Sequence, residues 1–229
     1  MAGSVPARSA DVVLFDFDYT LADSSPGILE CVRFAMTRLG HDVPLDDEIR
    51  AQIGQPLQGS LARFFGADAA PSGGWRDADY VRLFVERADQ VMAGRTSMLD
   101  GVPEVLATLR SAGLRLGVVS TKFRYRIEQV LGREGLRDRF DCIVGGEDVE
   151  KPKPHPQALE RGLDTLGVAR DRAVYVGDSL VDAEAAARAG LRFVGVLSGV
   201  TAAGAFDAHP VDALLPSVRE LPALLGAAR

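Results

Sequence analysis

Short, nearly unbroken apolar runs recur along this chain, and most alternate with helical patterns that stop at glycine. The runs are residues 12–16 (VVLFD), 116–120 (LGVVS), 141–144 (DCIV), 173–177 (AVYVG) and 193–196 (FVGV), with a weaker one at 213–215. Valine-rich strands without polar alternation are covered on both faces, as in a parallel sheet. The helical patterns 103–112, 125–131, 157–166 and 180–189 run into Gly113, Gly132, Gly167 and Gly190, and glycine is the preferred residue just past a helix end. Strand, helix, glycine, strand predicts an α/β fold, a doubly wound Rossmann-like parallel sheet.

Residues 26–95 break that rhythm. Helical patterns fill 27–39, 45–52, 57–65 and 77–93 with no strand between them. Asp46, Asp47 and Glu48 stand where a helix dipole favours acidic groups, and residues 71–74 (PSGG) read as a loop. The expected division is a loose tail at 1–10, an α/β core at 11–24 and 96–229, and an inserted helical cap at 25–95. The hinges are expected near 23–26 and 95–100.

Of the 229 residues, 47 % are hydrophobic and 25 % charged, enough apolar material for a sizeable core. A net charge of −6 and the lack of a dense basic block argue against nucleic acid or an anionic membrane as partner. The short cluster at 122–126 (KFRYR) reads as an amphipathic helix start or a local anion contact. No run reaches the ~20 apolar residues needed to span a bilayer, and the N-terminus does not read as a secretory signal. Cys31 and Cys142 sit in apolar patterns and read as buried thiols in a reducing compartment. The expectation is a cytoplasmic monomer or homodimer.

Four polar motifs stand at or after the ends of candidate strands, the edge where open α/β sheets bind ligands. They are Asp16-Phe17-Asp18-Tyr19-Thr20, Ser120-Thr121-Lys122, the EKPKPHP segment containing Lys151, and Gly177-Asp178-Ser179 with Asp182. Each alone reads equally well as a cap or a surface turn; all four in order point to one site. Asp16, Asp18 and Asp178 converging without His or Cys suit a hard cation, Mg²⁺. A lysine and a serine hydroxyl beside them suit a phosphoryl group, and a carboxylate is a competent nucleophile toward phosphorus.

These motifs, quoted as DFDYTLADS, VVSTK, EKPKPHP and VGDSLVD, resemble the phosphatase branch of the haloacid dehalogenase superfamily. The match runs over roughly residues 11–215 and is nearest to phosphoglycolate phosphatase-like members with a helical cap. The resemblance implies Asp16 as nucleophile and Asp18 as general acid, then base. It implies Ser120, with the backbone at Thr121, as phosphoryl ligand. Lys151, directly before the first proline, is implied as the neutralising cation, with Lys153 solvated. Asp16, the Asp18 backbone carbonyl and Asp178 are implied as Mg²⁺ ligands, and Asp182 as the residue that orients Lys151 or a metal-bound water. Thr20, Thr121, Gly54 and Gln55 are the candidate substrate contacts, the last two from a cap loop at 52–61 (QIGQPLQGSL) that also offers Gln58.

Two positions depart from the family. Tyr19 stands where glycine is common, and its side chain is expected at the mouth between core and cap. His155 stands where an acidic residue is frequent and reads as a loop residue. Dehalogenation needs neither the second aspartate nor a metal, so Asp18 and Asp178 favour phosphate ester hydrolysis. The expected partner is a small phosphorylated metabolite, with 2-phosphoglycolate first. Pyrophosphate, a sugar-phosphate mutase activity, a catalytically silent binding module and a receiver-like domain are the alternatives.

Overall fold

The computed structural model describes residues 10–66 and 77–227. The loop expected at 71–74 and all but the last residue of the expected tail lie outside them. The predicted strands form as β1 (Val12–Phe15), β4 (Arg115–Val119), β5 (Cys142–Val144), β6 (Ala173–Gly177), β7 (Arg192–Val196) and β8 (Ala213–Leu215). They make one parallel sheet in the order β5-β4-β1-β6-β7-β8.

Both faces of that sheet are buried, which is why its strands read as continuous apolar runs. Val13 and Phe15 of β1 pack into a layer with α5 (Val102–Ser111) and α6 (Arg124–Arg133). Val12 and Leu14 face the opposite layer, made by α7 (Gln157–Leu166) and α8 (Leu180–Ala189). Because β1 lies in the middle of the order, the turn that follows it opens at the centre of the sheet's carboxyl edge.

The chain leaves that edge through β2 (Ala22–Asp23) and returns through β3 (Ser97–Met98), which pair antiparallel as Ala22↔Met98 and Asp23↔Ser97. Two-residue strands carry no periodicity, so the sequence reading passes over them. Between them lie α1 (Ser25–Leu39), α2 (Asp46–Arg50), α3 (Ser60–Phe65) and α4 (Asp77–Val91). These helices share their own apolar cluster, including Val32, Met36, Tyr80 and Phe84. The second and third helices are shorter than their patterns suggest. The stretch between them turns at Gly54 and Gly59, with φ of 89° and 80°, a left-handed conformation that glycine adopts without strain.

Candidate active site

Asp16 extends β1 by one residue, its N–H donating to Val176 O at 2.8 Å. The chain then doubles back. The Phe17 carbonyl accepts from Leu21 N and Ala22 N at 2.9 and 3.0 Å, and this turn holds Asp16, Asp18 and Thr20 at the sheet edge. Asp16 is buried, and its Oδ1 accepts from Lys153 Nζ at 2.9 Å. Lys153 Nζ also donates to Asp182 Oδ1 at 2.5 Å and to Tyr175 Oη at 2.9 Å.

Lys153, not Lys151, is therefore the lysine of the site. Lys151 is exposed, and its backbone N–H is held by Gln157 Oε1 at 2.8 Å. Both lysines precede a proline, so local sequence does not separate them; only the path of the turn into α7 decides which stem points inward. Burial pulls the Lys153 ammonium down, but the Asp16 and Asp182 charges outweigh it and hold it above its ordinary value. His155 is a loop residue as expected: its Nδ1 accepts from Gln157 N at 3.2 Å.

Asp178 and Asp182 frame the start of α8. Asp182 accepts from Ser179 Oγ at 2.6 Å and Ser179 N at 3.2 Å while its other oxygen meets Lys153 and Tyr175. Asp178 has less: Thr20 Oγ1 donates to its Oδ1 at 3.2 Å. That bond corrects the reading of Thr20 as a substrate contact, since its hydroxyl is buried and spent on Asp178.

Carboxylate oxygens of Asp16, Asp178 and Asp182 lie within 4.8 Å of one another. When all three are ionised, these carboxylates against the single ammonium of Lys153 leave an excess of two negative charges. Burial, then the neighbouring charges of Asp182 and Asp16, pushes the Asp178 carboxyl well above its ordinary value. Burial likewise pushes Asp16 up to about 6, against the pull of Lys153. An all-oxygen, doubly negative buried set is the chemistry of a hard divalent cation. Asp182 is committed to Lys153, Tyr175 and Ser179, so Asp16 and Asp178 are the side chains with ligand capacity to spare.

The Asp18 carboxylate lies outside that group of three. Both of its oxygens accept from Lys122 Nζ at 3.1 Å, and Lys122 also donates to Ser24 Oγ at 3.0 Å. Ser24 Oγ in turn accepts from Thr96 Oγ1 at 3.0 Å. Ser120 is buried beside Asp16, and its hydroxyl pulls the Asp16 carboxyl downward against burial. Lys122 stands in the strand-end motif Ser120-Thr121-Lys122 and in the basic cluster 122–126, but its contact with Asp18 was not foreseen. Tyr175 was missed as well; the lone hydroxyl in AVYVG is the signal, because a buried phenol needs partners.

The chain matches the family model for haloacid dehalogenase-like hydrolases over residues 13–196. The chain belongs to this family. A phosphoglycolate phosphatase from Xanthomonas campestris pv. campestris is 34 % identical over 193 residues, covering 84 % of this chain and 85 % of the relative. One from Cupriavidus necator is 33 % identical, covering 95 % and 94 %. A solved haloacid dehalogenase-like hydrolase from Bacteroides fragilis superposes with a TM-score of 0.87 at 39 % identity, covering 93 % of this chain and 99 % of that one. The protein is an enzyme, a phosphatase of the haloacid dehalogenase-like hydrolases.

In this haloacid dehalogenase-like hydrolase a cavity of about 100 Å³ lies over Asp18, Thr121 and Lys122. Its roof comes from the helical insert, with Ile49, Ile53, Gly54 and Gln55 among the lining residues. Thr121 Oγ1 donates to the Gly54 carbonyl at 3.2 Å, so two of the expected substrate contacts hold each other. Gln55 lines the cavity. No helix among the described residues is long and apolar enough to cross a membrane.

Proposed function

We propose that this phosphatase is a Mg²⁺-dependent phosphomonoester hydrolase that works through an aspartyl-phosphate on Asp16. The observation that carries the reading is the Lys153–Asp16 ion pair set beside the buried carboxyl groups of Asp178 and Asp182. Asp16, the Asp18 carbonyl and Asp178 are the residues that would hold Mg²⁺. When bound, the ion offsets charge on the carboxylates and on the phosphoryl oxygens.

An Asp16 carboxylate oxygen attacks phosphorus, and the ester P–O bond breaks as Asp18 gives its proton to the leaving alcohol oxygen. Asp18 then takes a proton from water, whose oxygen attacks the same phosphorus; phosphate leaves and Asp16 is regenerated. Lys153 holds Asp16 in its attacking form and faces the phosphoryl charge. Ser120 and the backbone at Thr121 donate to phosphoryl oxygens. Asp182 and Tyr175 orient Lys153.

In this reading the helices between β2 and β3 form a cap, hinged at 23–26 and 95–100, that excludes water when shut. The leaving group enters the cavity over Asp18. Roofed by the insert, a cavity of about 100 Å³ favours a small leaving group. The apolar wall from Ile49 and Ile53 suits an organic leaving group better than pyrophosphate. With relatives named phosphoglycolate phosphatase, 2-phosphoglycolate is the first substrate, Gln55 facing its carboxylate. A cytoplasmic site of action fits the two buried free thiols.

The test is inorganic phosphate release from 2-phosphoglycolate with and without Mg²⁺, with Asp16→Asn as control. Mg²⁺-dependent turnover that vanishes in Asp16→Asn supports mechanism and substrate together. Release no greater than in Asp16→Asn removes phosphoglycolate and sends the same assay to pyrophosphate and other small esters.

A further inference from the structure

Tyr19, one of the two positions that depart from the family pattern, is the one non-glycine residue with a left-handed backbone among those described, at φ 60°. A bulky side chain there is an outlier that persists only when its surroundings hold it. They do. Tyr19 N donates to Ala22 O at 2.7 Å, and its carbonyl accepts from Ser198 Oγ at 2.5 Å. The side chain is buried and reaches from the sheet edge to the helical insert.

There it meets Arg50, the last residue of α2. Arg50 Nη1 donates to Tyr19 Oη at 3.3 Å and to Ser25 Oγ at 2.5 Å. Ser25 opens α1 and belongs to the insert, so the Tyr19 phenol joins this arginine to the sheet side. Four residues on, the Gly54 carbonyl is held by Thr121 Oγ1. The loop 51–54 is thus fastened to the sheet side at both ends. It supplies Gln52, Ile53 and Gly54 to the cavity over Asp18, with Gln55 directly after. Glycine at position 19 would remove both the backbone strain and this fastening.

We infer that Tyr19 is a positioning residue: its phenol, acting through Arg50, holds the 51–55 loop closed over Asp18 and thereby sets affinity for the leaving group. Tyr19 itself does not reach the reacting atoms. The kinetic half of the inference rests on the phosphatase reading; the structural half stands without it.

Tyr19→Phe and Arg50→Gln, alone and together, test it by two readouts. The first is amide hydrogen exchange of residues 51–55 in the substrate-free enzyme. The second is KM against kcat for 2-phosphoglycolate or acetyl phosphate. Tyr19→Phe is expected to speed exchange in that loop several-fold and to raise KM several-fold, with a smaller change in kcat and an unchanged thermal midpoint. The double variant is expected to be no worse than Arg50→Gln alone, because the two residues act as one contact. Unchanged exchange in Tyr19→Phe overturns the inference, as do additive effects in the double variant or faster exchange with KM unmoved. If neither compound turns over in the unmodified enzyme, the proposed substrate class has failed, and the exchange data alone decide whether the fastening exists.

Discussion

Lys122 Nζ sits 3.1 Å from each carboxylate oxygen of Asp18 and 3.0 Å from Ser24 Oγ. It thereby links the proposed acid–base residue to the segment where the chain enters the helical insert. Through Ser24 and Thr96 the same network reaches the segment where the chain returns. A lysine with three such bonds fixes the plane of the carboxylate.

If Asp18 protonates the leaving group, loss of that orientation should matter most where the leaving group is poor. Lys122→Met is expected to lower kcat/KM about a hundredfold or more for 2-phosphoglycolate, in line with the usual worth of general acid catalysis. The loss should be far smaller for acetyl phosphate, whose acetate departs without a proton. Comparing the two substrates in parallel assays checks this; equal losses would reject the role.

Lys153→Met removes the only ammonium that faces Asp16 and Asp182 among the described residues. Breaking a buried pair in this way costs about 3–5 kcal/mol of stability, and losing a charge partner of the reacting group costs roughly a hundredfold to a thousandfold in rate. Lys151→Met, at an exposed side chain, is expected to keep near-normal kcat/KM and thermal midpoint. The reverse ranking would restore Lys151 to the site.

Asp178 gives a pH-dependent prediction. In the fold its carboxyl titrates above its ordinary 3.8, through burial first and then the charges of Asp182 and Asp16. Such a group adds stability in full below the unfolded value, and that contribution is lost as pH rises through the folded value. Without metal, Asp178→Asn should therefore melt a few degrees higher than the unmodified protein at neutral pH. The gap should close as pH falls toward the unfolded value. Mg²⁺ should raise the midpoint of the unmodified protein and leave the variant where it was. Calorimetry across pH, with and without Mg²⁺, reads all three.

Gly199 lies against the same carboxylate. A β-carbon at that position would stand 2.1 Å from Asp178 Oδ2, too close without displacing the carboxylate. Gly199→Ala should raise the Mg²⁺ concentration for half-maximal activity about ten- to a hundredfold, the usual effect of disturbing a ligand's support. Titrating activity with Mg²⁺ decides it; an unaltered midpoint would show that the carboxylate shifts without consequence.

The sheet was legible because burial on both faces leaves a one-dimensional trace: residues 12–16 and 173–177 are apolar at every position that the two helix layers cover. Asp16, Asp18 and Asp178 were legible for a related reason, since a polar residue at the end of an apolar run has only the sheet edge to occupy. The pairing of β2 with β3 left no such trace, because two residues are shorter than any period. Lys153 and Lys122 were illegible for a different reason. A lysine stem is long enough to reach either water or a buried carboxylate, and KPKP and STKF read the same in both cases.

By itself, the sequence determined the α/β architecture, the helical interruption after the first strand and the aspartates of the carboxyl edge. All of these follow from local hydrophobic pattern and from where polarity interrupts it. Tertiary structure alone decided which lysine meets Asp16, that Thr20 serves Asp178, that Asp18 is held by Lys122, and that Tyr19 reaches Arg50. Those are contacts between segments distant in the chain. Their outcome depends on which way a side chain turns once the sheet has closed, and on which buried charges must then find a partner.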